Sequence, residues 1–242
     1  MWHKLLSSNR YNQFKLFCLD QLLPLSCLLC HQPCHHPMSL CLACQTLISI
    51  PGGLSQIEVS DNTTLTRWQS IRCLAAYESP IKELILLGKF QKNLAALKML
   101  GFLFANIIAA QGYDPELVLI PVPLHKNRLL LRGYNQALEI ALPIAKKLDL
   151  KINNHCIYRA KEAQTQHFLS RKQRADNAQD IFQVKHPIPK KIAVIDDIFT
   201  TGSTMQSLCA CLYAAGAETI EVWIIARTLK QSSGILACKS TN

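Results

Sequence analysis

Acidic residues and aromatics are both in short supply in this chain. Sixteen Asp and Glu stand against 26 Lys and Arg, a formal net charge of +10, and Phe, Trp and Tyr make up 7% of 242 residues. The deficit of negative charge favours anionic partners: phosphorylated metabolites, nucleic acid or a membrane surface. The deficit of aromatics weighs against a dedicated single-strand binder. Base stacking needs several rings among the cations, and only Tyr134, Phe168 and Phe182 are placed that way. Residues Met1 to Asn12 hold no continuous apolar run, so no secretory leader is expected. The most apolar stretch, Leu94 to Ala110, is interrupted by Lys98 and Asn106 and falls short of a membrane span. An even cysteine count is missing too. Eleven cysteines, five of them between Cys27 and Cys44, with no leader expected, run against a secreted disulfide framework, which is normally shorter with an even count. A reducing, cytoplasmic location is the expectation. No internal repeat is present.

What remains is globular: 49% of the residues are apolar. The length accommodates one α/β domain of roughly 150–180 residues and something small beside it. The stretch that organises the chain is KIAVIDDIFTTGST, Lys191 to Thr204. Ile192, Ala193, Val194 and Ile195 form an unalternated apolar run, the mark of a strand buried on both faces of a parallel sheet. Asp196 and Asp197 follow, then Thr200, Thr201, Gly202, Ser203 and Thr204, and a helical segment from Met205 to Ala215. A Gly/Ser/Thr loop entering a helix aims amides and hydroxyls at a phosphate, beyond the carboxyl ends of the strands where α/β sheets bind ligands. Two carboxylates would repel that phosphate unless they face something neutral or cationic. Ribose hydroxyls and Mg²⁺ fit that requirement. The plainer alternative is a strand–turn–helix junction with Asp and Thr serving as caps. The segment resembles the phosphoribosyl-pyrophosphate (PRPP) signature of type I phosphoribosyltransferases.

Upstream, CLLCHQPCHHPMSLCLAC carries two C-x-x-C knuckles, Cys27/Cys30 and Cys41/Cys44, ten residues apart. Two such knuckles close a tetrahedral four-thiolate site, which points to structural Zn²⁺. Cys34, His31, His35 and His36 lie between them as competing ligands. A loop of merely reduced cysteines is the alternative, although a segment so poor in large core residues needs metal to stay folded.

The spacing of Phe14, Phe17, Cys18, Gln21 and Leu22 predicts a helix ended by Pro24. Strands are expected at Ile71 to Tyr77, Leu117 to Leu124, around Cys156 to Arg159 and at Thr219 to Ala226, and helices at Ile81 to Phe90 and Leu94 to Ala110. His125, Lys126, Arg128 and Arg132 gather cations beyond the second of these strands. Such a cluster suits a pyrophosphate; otherwise it is a solvated basic loop. Asn135 and Gln136 either cap the helix that follows or contact ligand. Between Lys151 and Lys191, nine Lys or Arg face three acids, so residues 159–182 are either a lid or an exposed basic element. Cys209 and Cys211, two apart on a helix, read as packing residues. The expected organisation is an N-terminal helix and zinc ribbon in 1–65, an α/β domain in 66–230 and a tail in 231–242.

With these residues identified, the chain resembles the ComF family, phosphoribosyltransferase-like proteins associated with competence for DNA uptake. The resemblance is carried by CLLC and CLAC, by YESPIKELILLGKF and by PVPLHKNRLLLRGYNQA. It continues in Gln166 through Leu169 with Arg174 and Asn177, and in VIDDIFTTGST. It implies a type I phosphoribosyltransferase fold, a mainly parallel sheet flanked by helices, with an N-terminal zinc ribbon. It implies that Asp196 and Asp197 contact ribose hydroxyls and that Thr200 to Thr204 hold the 5-phosphate. Transfer of a phosphoribosyl group from PRPP would then have Mg²⁺ and the cations Arg128, Arg132 and Lys161 stabilising the departing pyrophosphate. Three functions follow as alternatives: a phosphoribosyltransferase, a competence factor that binds single-stranded DNA with PRPP or a nucleotide as regulator, and a ribbon that docks a protein of the competence machinery.

Overall fold

The structure, a computed structural model, describes residues 25–34, 40–48, 55–57, 68–160 and 181–228. The helix expected before Pro24, His35, His36, Lys161, most of the basic segment and the tail lie outside the described residues.

Two short strands, β1 (Leu25–Ser26) and β2 (Pro33–Cys34), pair antiparallel around the first knuckle, and α1 (Leu42–Ile48) carries the second. Then come β3 (Ser55–Ile57), β4 (Ser70–Ala76), α2 (Ile81–Phe90), α3 (Leu94–Gln111) and β5 (Val118–Pro121). The chain continues through α4 (Lys126–Arg132), α5 (Gln136–Leu148), β6 (Lys151–Ile152), β7 (Ile157–Arg159) and β8 (Phe182–Val184). It closes with β9 (Lys191–Phe199), α6 (Ser203–Ala214) and β10 (Thr219–Arg227). Six strands form one sheet in the order β3-β4-β10-β9-β5-β6. All neighbours are parallel except β3, which runs antiparallel to β4 at the edge. β7 and β8 make a separate antiparallel pair.

The expected run on β9 explains the layering. Ala193 and Ile195 lie in one apolar cluster with Leu84, Leu97, Phe104 and Ile140 from α2, α3 and α5. Ile192 and Val194 lie in the other, with Leu208 and Leu212 of α6. Successive side chains of a strand leave on opposite faces, so a strand covered by helices on both sides must be apolar at every position. The fold is therefore the mainly parallel sheet flanked by helices that the sequence predicts, with the cysteine module at its N-terminus. Cys27, Cys34, Leu40, Cys44 and Ile48 belong to the same apolar cluster as Leu74 and Ile81.

Some boundaries differ from expectation. β9 runs on through both aspartates to Phe199, because Ile224, Ala226 and Arg227 of β10 continue to pair with Asp196, Ile198 and Phe199. β5 is shorter than Leu117 to Leu124, since Pro121 and Pro123 have no N–H for the ladder, although Val122 N still donates to Ile195 O at 2.9 Å. The helix α4 was not expected. His125 accepts from Asn127 N at its start, and Gly133, at φ 85°, closes its end with an N–H bond to Leu129 O. α3 is long and apolar enough to cross a membrane by length and composition. Here Leu97, Leu100, Phe104 and Ile108 are fully buried in the core. At Gly101 a Cβ would lie 2.2 Å from the carbonyl oxygen of Ile140, so α3 and α5 cross in backbone contact.

Candidate functional site

The carboxyl end of β9 opens into a recess lined by Asp196 and by Ile198 through Met205, with about 280 Å³ of open space. The loop has little freedom at its centre. Gly202 adopts φ 76°, and a Cβ there would sit 2.7 Å from the Phe199 ring. Glycine satisfies both constraints. No side chain caps the start of α6, so its first-turn amides are left to the recess. Thr201 Oγ1 and Ser203 Oγ lie 3.2 Å apart. Hydroxyls and unclaimed amides thus converge from one bend, an arrangement that can hold a phosphate.

The carboxylates occupy consecutive strand positions, and Asp196 Oδ1 accepts from Asp197 N at 2.9 Å. Asp196 lines the recess; Asp197 does not. Asp196 keeps some contact with solvent yet lies deep among protein atoms. Burial first, and then the negative charge of Asp197, holds its carboxyl well above the usual carboxylate range. The Asp197 amide and the positive charge of Lys89 pull the other way.

Lys89 was not among the residues predicted for the site. Periodicity gave α2 its helical state but not its path. The structure ties the end of α2 to the start of α5, because Tyr134 OH donates to Gly88 O. On its other side Gly88 is closed in by Leu97, which a Cβ would meet at 2.4 Å. The end of α2 is thereby held where the charge of Lys89 reaches Asp196. Replacing Lys89 by Met is expected to raise the Asp196 pKa further. Any ligand that needs the ionised carboxylate should then bind more weakly, with the deficit growing as pH falls, and calorimetric titration at several pH values checks it.

Arg128 and Arg132 do not line the recess. They stand on α4, which leaves β5 on the strand beside β9, and four residues apart they share a helix face. Asn135 resolves as a cap. Its Oδ1 accepts from Ala137 N at 3.0 Å while its Nδ2 donates to Val122 O at 3.0 Å. Gln136 is different: it is 3% exposed, and its Nε2 finds no partner among the described residues. A buried amide donor left unpaired is costly and asks for a ligand or water.

The second cluster is the pair of knuckles. The Sγ atoms of Cys27, Cys30, Cys41 and Cys44 all lie within 4.8 Å of one another, with Cys30 and Cys41 at 3.6 Å. Tetrahedral Zn²⁺ with bonds near 2.3 Å sets its sulfurs about 3.8 Å apart, so the spread fits a metal. Burial raises the Cys27 thiol, but amides of Cys30, Cys41 and Leu29 outweigh it and bring it down to about 6. Burial and the neighbouring thiols push Cys44 up to about 12. Four sulfurs this close cannot all ionise without a cation among them. Cys34, the competing cysteine, is buried at 5% exposure outside this set. His31 is likewise not part of it. Cys209 is fully buried on the inner face of α6, and that burial pushes its thiol up to about 12, as a packing residue requires.

Among curated proteins, the DNA utilization protein YhgH of Escherichia coli O157:H7 is 32% identical over 169 residues, 67% of this chain and 74% of that protein. The chain belongs to the ComF family. The Competence protein F of Haemophilus influenzae is 33% identical over 168 residues, 66% of this chain and 73% of its own length. Competence protein ComFC of Bacillus subtilis is 27% identical over 150 residues, 60% of this ComF-family chain and 58% of that protein. Searching family models gives no match. Among solved structures, a hypoxanthine-guanine phosphoribosyltransferase of Bacillus anthracis superposes with a TM-score of 0.38 at 12% identity, covering 59% of this chain and 75% of that one.

Proposed function

We propose that this ComF-family protein binds PRPP, or a closely related ribose phosphate, with Mg²⁺ at the end of β9. The observation that carries the reading is the recess itself, where Asp196 and the uncapped Thr200–Thr204 bend face one space. The bend takes the 5-phosphate through amides and hydroxyls. Asp196 at the recess wall and Asp197 beside it on the strand accept from the ribose hydroxyls, and Mg²⁺, when bound with the ligand, would supply positive charge to the pyrophosphate. Arg128 and Arg132 face the pyrophosphate from α4, and Lys161 joins them from outside the described residues. Charge that develops on a departing pyrophosphate would be stabilised by these cations.

The four-cysteine cluster holds structural Zn²⁺ in this reading. Titration of the purified protein with PRPP, with and without Mg²⁺, tests the site. Saturable binding that needs the metal is expected, followed by pyrophosphate release in a screen of acceptors if the phosphoribosyl group is transferred.

A second reading is favoured by the names of the relatives, which point to DNA uptake, and by the net charge of +10. Here the same protein engages single-stranded DNA or a protein of the uptake machinery, and the ribose phosphate regulates it. Each neutralised phosphate steepens the salt dependence of single-strand binding by about 0.7 in log–log slope. A slope near zero at moderate ionic strength sinks this reading while leaving PRPP binding intact.

A further inference from the structure

The recess is lined by Asp196 and by Ile198 through Met205, a set with one carboxylate and no cation. A phosphate monoester brings about two negative charges at neutral pH. The first-turn amides of α6 answer with the partial charge of a helix start, about half an elementary charge. The described cations placed so far act elsewhere: the charge of Lys89 reaches Asp196, and Arg128 and Arg132 stand on α4 beyond β5. The phosphate end of the site lacks a full positive charge of its own.

Arg227 ends β10, which flanks β9 on the side opposite β5. It pairs with Phe199, and its guanidinium carbon lies 5.8 Å from the centre of the Phe199 ring. That ring belongs to a residue of the recess wall and is the group a Cβ on Gly202 would strike. The backbone around it is fastened. Tyr77 N donates to Arg227 O at 2.9 Å, and Phe199 O accepts from Thr228 N at 3.1 Å and from Thr228 Oγ1 at 3.4 Å. Arg227 is half-buried, yet it enters none of the ion pairs among the described residues. A guanidinium laid on an aromatic ring keeps its positive field, because the ring attracts a cation without neutralising it. If Arg227 served only to cover Phe199, an uncharged side chain of the same length would do as well.

We propose that Arg227 is the counter-charge of the phosphate bend, favouring a dianionic phosphate there across the Phe199 ring. It is a positioning residue, held in place by the ring and acting on the anion through its charge. The inference rests on the ribose-phosphate reading of the recess and adds that the bend selects its ligand by charge.

Calorimetric titration of the full chain with ribose 5-phosphate, at low and at moderate salt, tests it with wild type, Arg227→Lys and Arg227→Met. Methionine keeps an unbranched stem for the ring and loses the charge, whereas lysine keeps the charge. At low salt Arg227→Met is expected to bind about tenfold more weakly, and Arg227→Lys to stay within about threefold of wild type. The Arg227→Met deficit should shrink as salt is added, because a charge acting at a distance is screened and a packing defect is not. Matching thermal melts show that the fold is intact, and Arg227→Gln takes the place of Arg227→Met if that variant melts early. Equal affinity of wild type and the neutral variant overturns the proposal. So does a deficit that Arg227→Lys shares in full or that salt leaves unchanged, which would make Arg227 a packing partner of Phe199. Failure of wild type to bind ribose 5-phosphate at all overturns the reading of the recess, and the proposal with it.

Discussion

Asp196→Asn/Asp197→Asn is expected to abolish measurable PRPP binding while leaving a protein that folds. Each carboxylate gives a ribose hydroxyl a charge-assisted acceptor, and such bonds are worth about 1.5–3 kcal/mol apiece. Losing two weakens binding by roughly a hundredfold or more. Stability should move the other way. A carboxyl whose pKa is raised by folding holds its proton more tightly in the folded chain. Its contribution favours folding in acid and disappears as pH rises through the folded value, above which a buried charge is a cost. Burial and Asp197 raise Asp196 in this sense. The neutral variant is therefore expected to melt higher than wild type on the alkaline side of the Asp196 titration, with the gap closing in acid. Wild-type PRPP affinity should fall on acidification at a pH where an ordinary carboxylate would still be ionised. Thermal melts and titrations across pH measure both. Full-strength PRPP binding by the double variant removes the ribose site from β9.

Cys44→Ser is expected to abolish the zinc binding proposed for the four-cysteine cluster. The four sulfurs within 4.8 Å form a closed donor set, and replacing one leaves three thiolates with a weak oxygen ligand. Structural zinc contributes about 10–16 kcal/mol of apparent binding free energy at neutral pH, so the module around 25–48 should open when the metal goes. Its own apolar support is small: among the described residues, Leu40 and Ile48 are its buried large side chains beside the cysteines. Limited proteolysis should cut there in the variant or after chelation, and the parallel sheet should survive as the resistant fragment. Intact-mass measurement under native conditions should give one zinc per wild-type chain. Equal protease resistance with and without metal would show that apolar packing on Leu74 and Ile81 holds the module instead.

Much of this site was legible before any coordinates. The β9 run, the acidic pair and the TTGST bend are contiguous, so chain connectivity alone brings them together. Both cysteine knuckles are short local units, and only their approach to each other needed the fold. Residues far apart in sequence were harder. The charge of Lys89 reaches Asp196 because a Tyr134 hydroxyl and the Gly88–Leu97 contact fix where α2 ends, and neither contact leaves a periodic trace. Gln136 reads as either a cap or a ligand contact in the sequence, and the structure gives the capping bond to its neighbour Asn135. The cations of α4 read in the sequence as a pyrophosphate cluster or a solvated basic loop, and no helix is expected there, because Leu129 to Leu131 have no helical spacing of apolar and polar residues. Its two terminal caps form it nonetheless.

The sequence by itself determined the layered parallel architecture, the loop chemistry at the end of β9 and the donor set of the cysteine cluster. Each is local, encoded by alternation, by glycine's access to positive φ or by two thiols on one turn. Only the tertiary structure decided that Asp196 lines the recess and Asp197 does not, that the charge of Lys89 reaches Asp196, and that three leucines of α4 face water. Those depend on how separate segments pack, and packing is set by shape and burial over the whole domain rather than by any one stretch of chain.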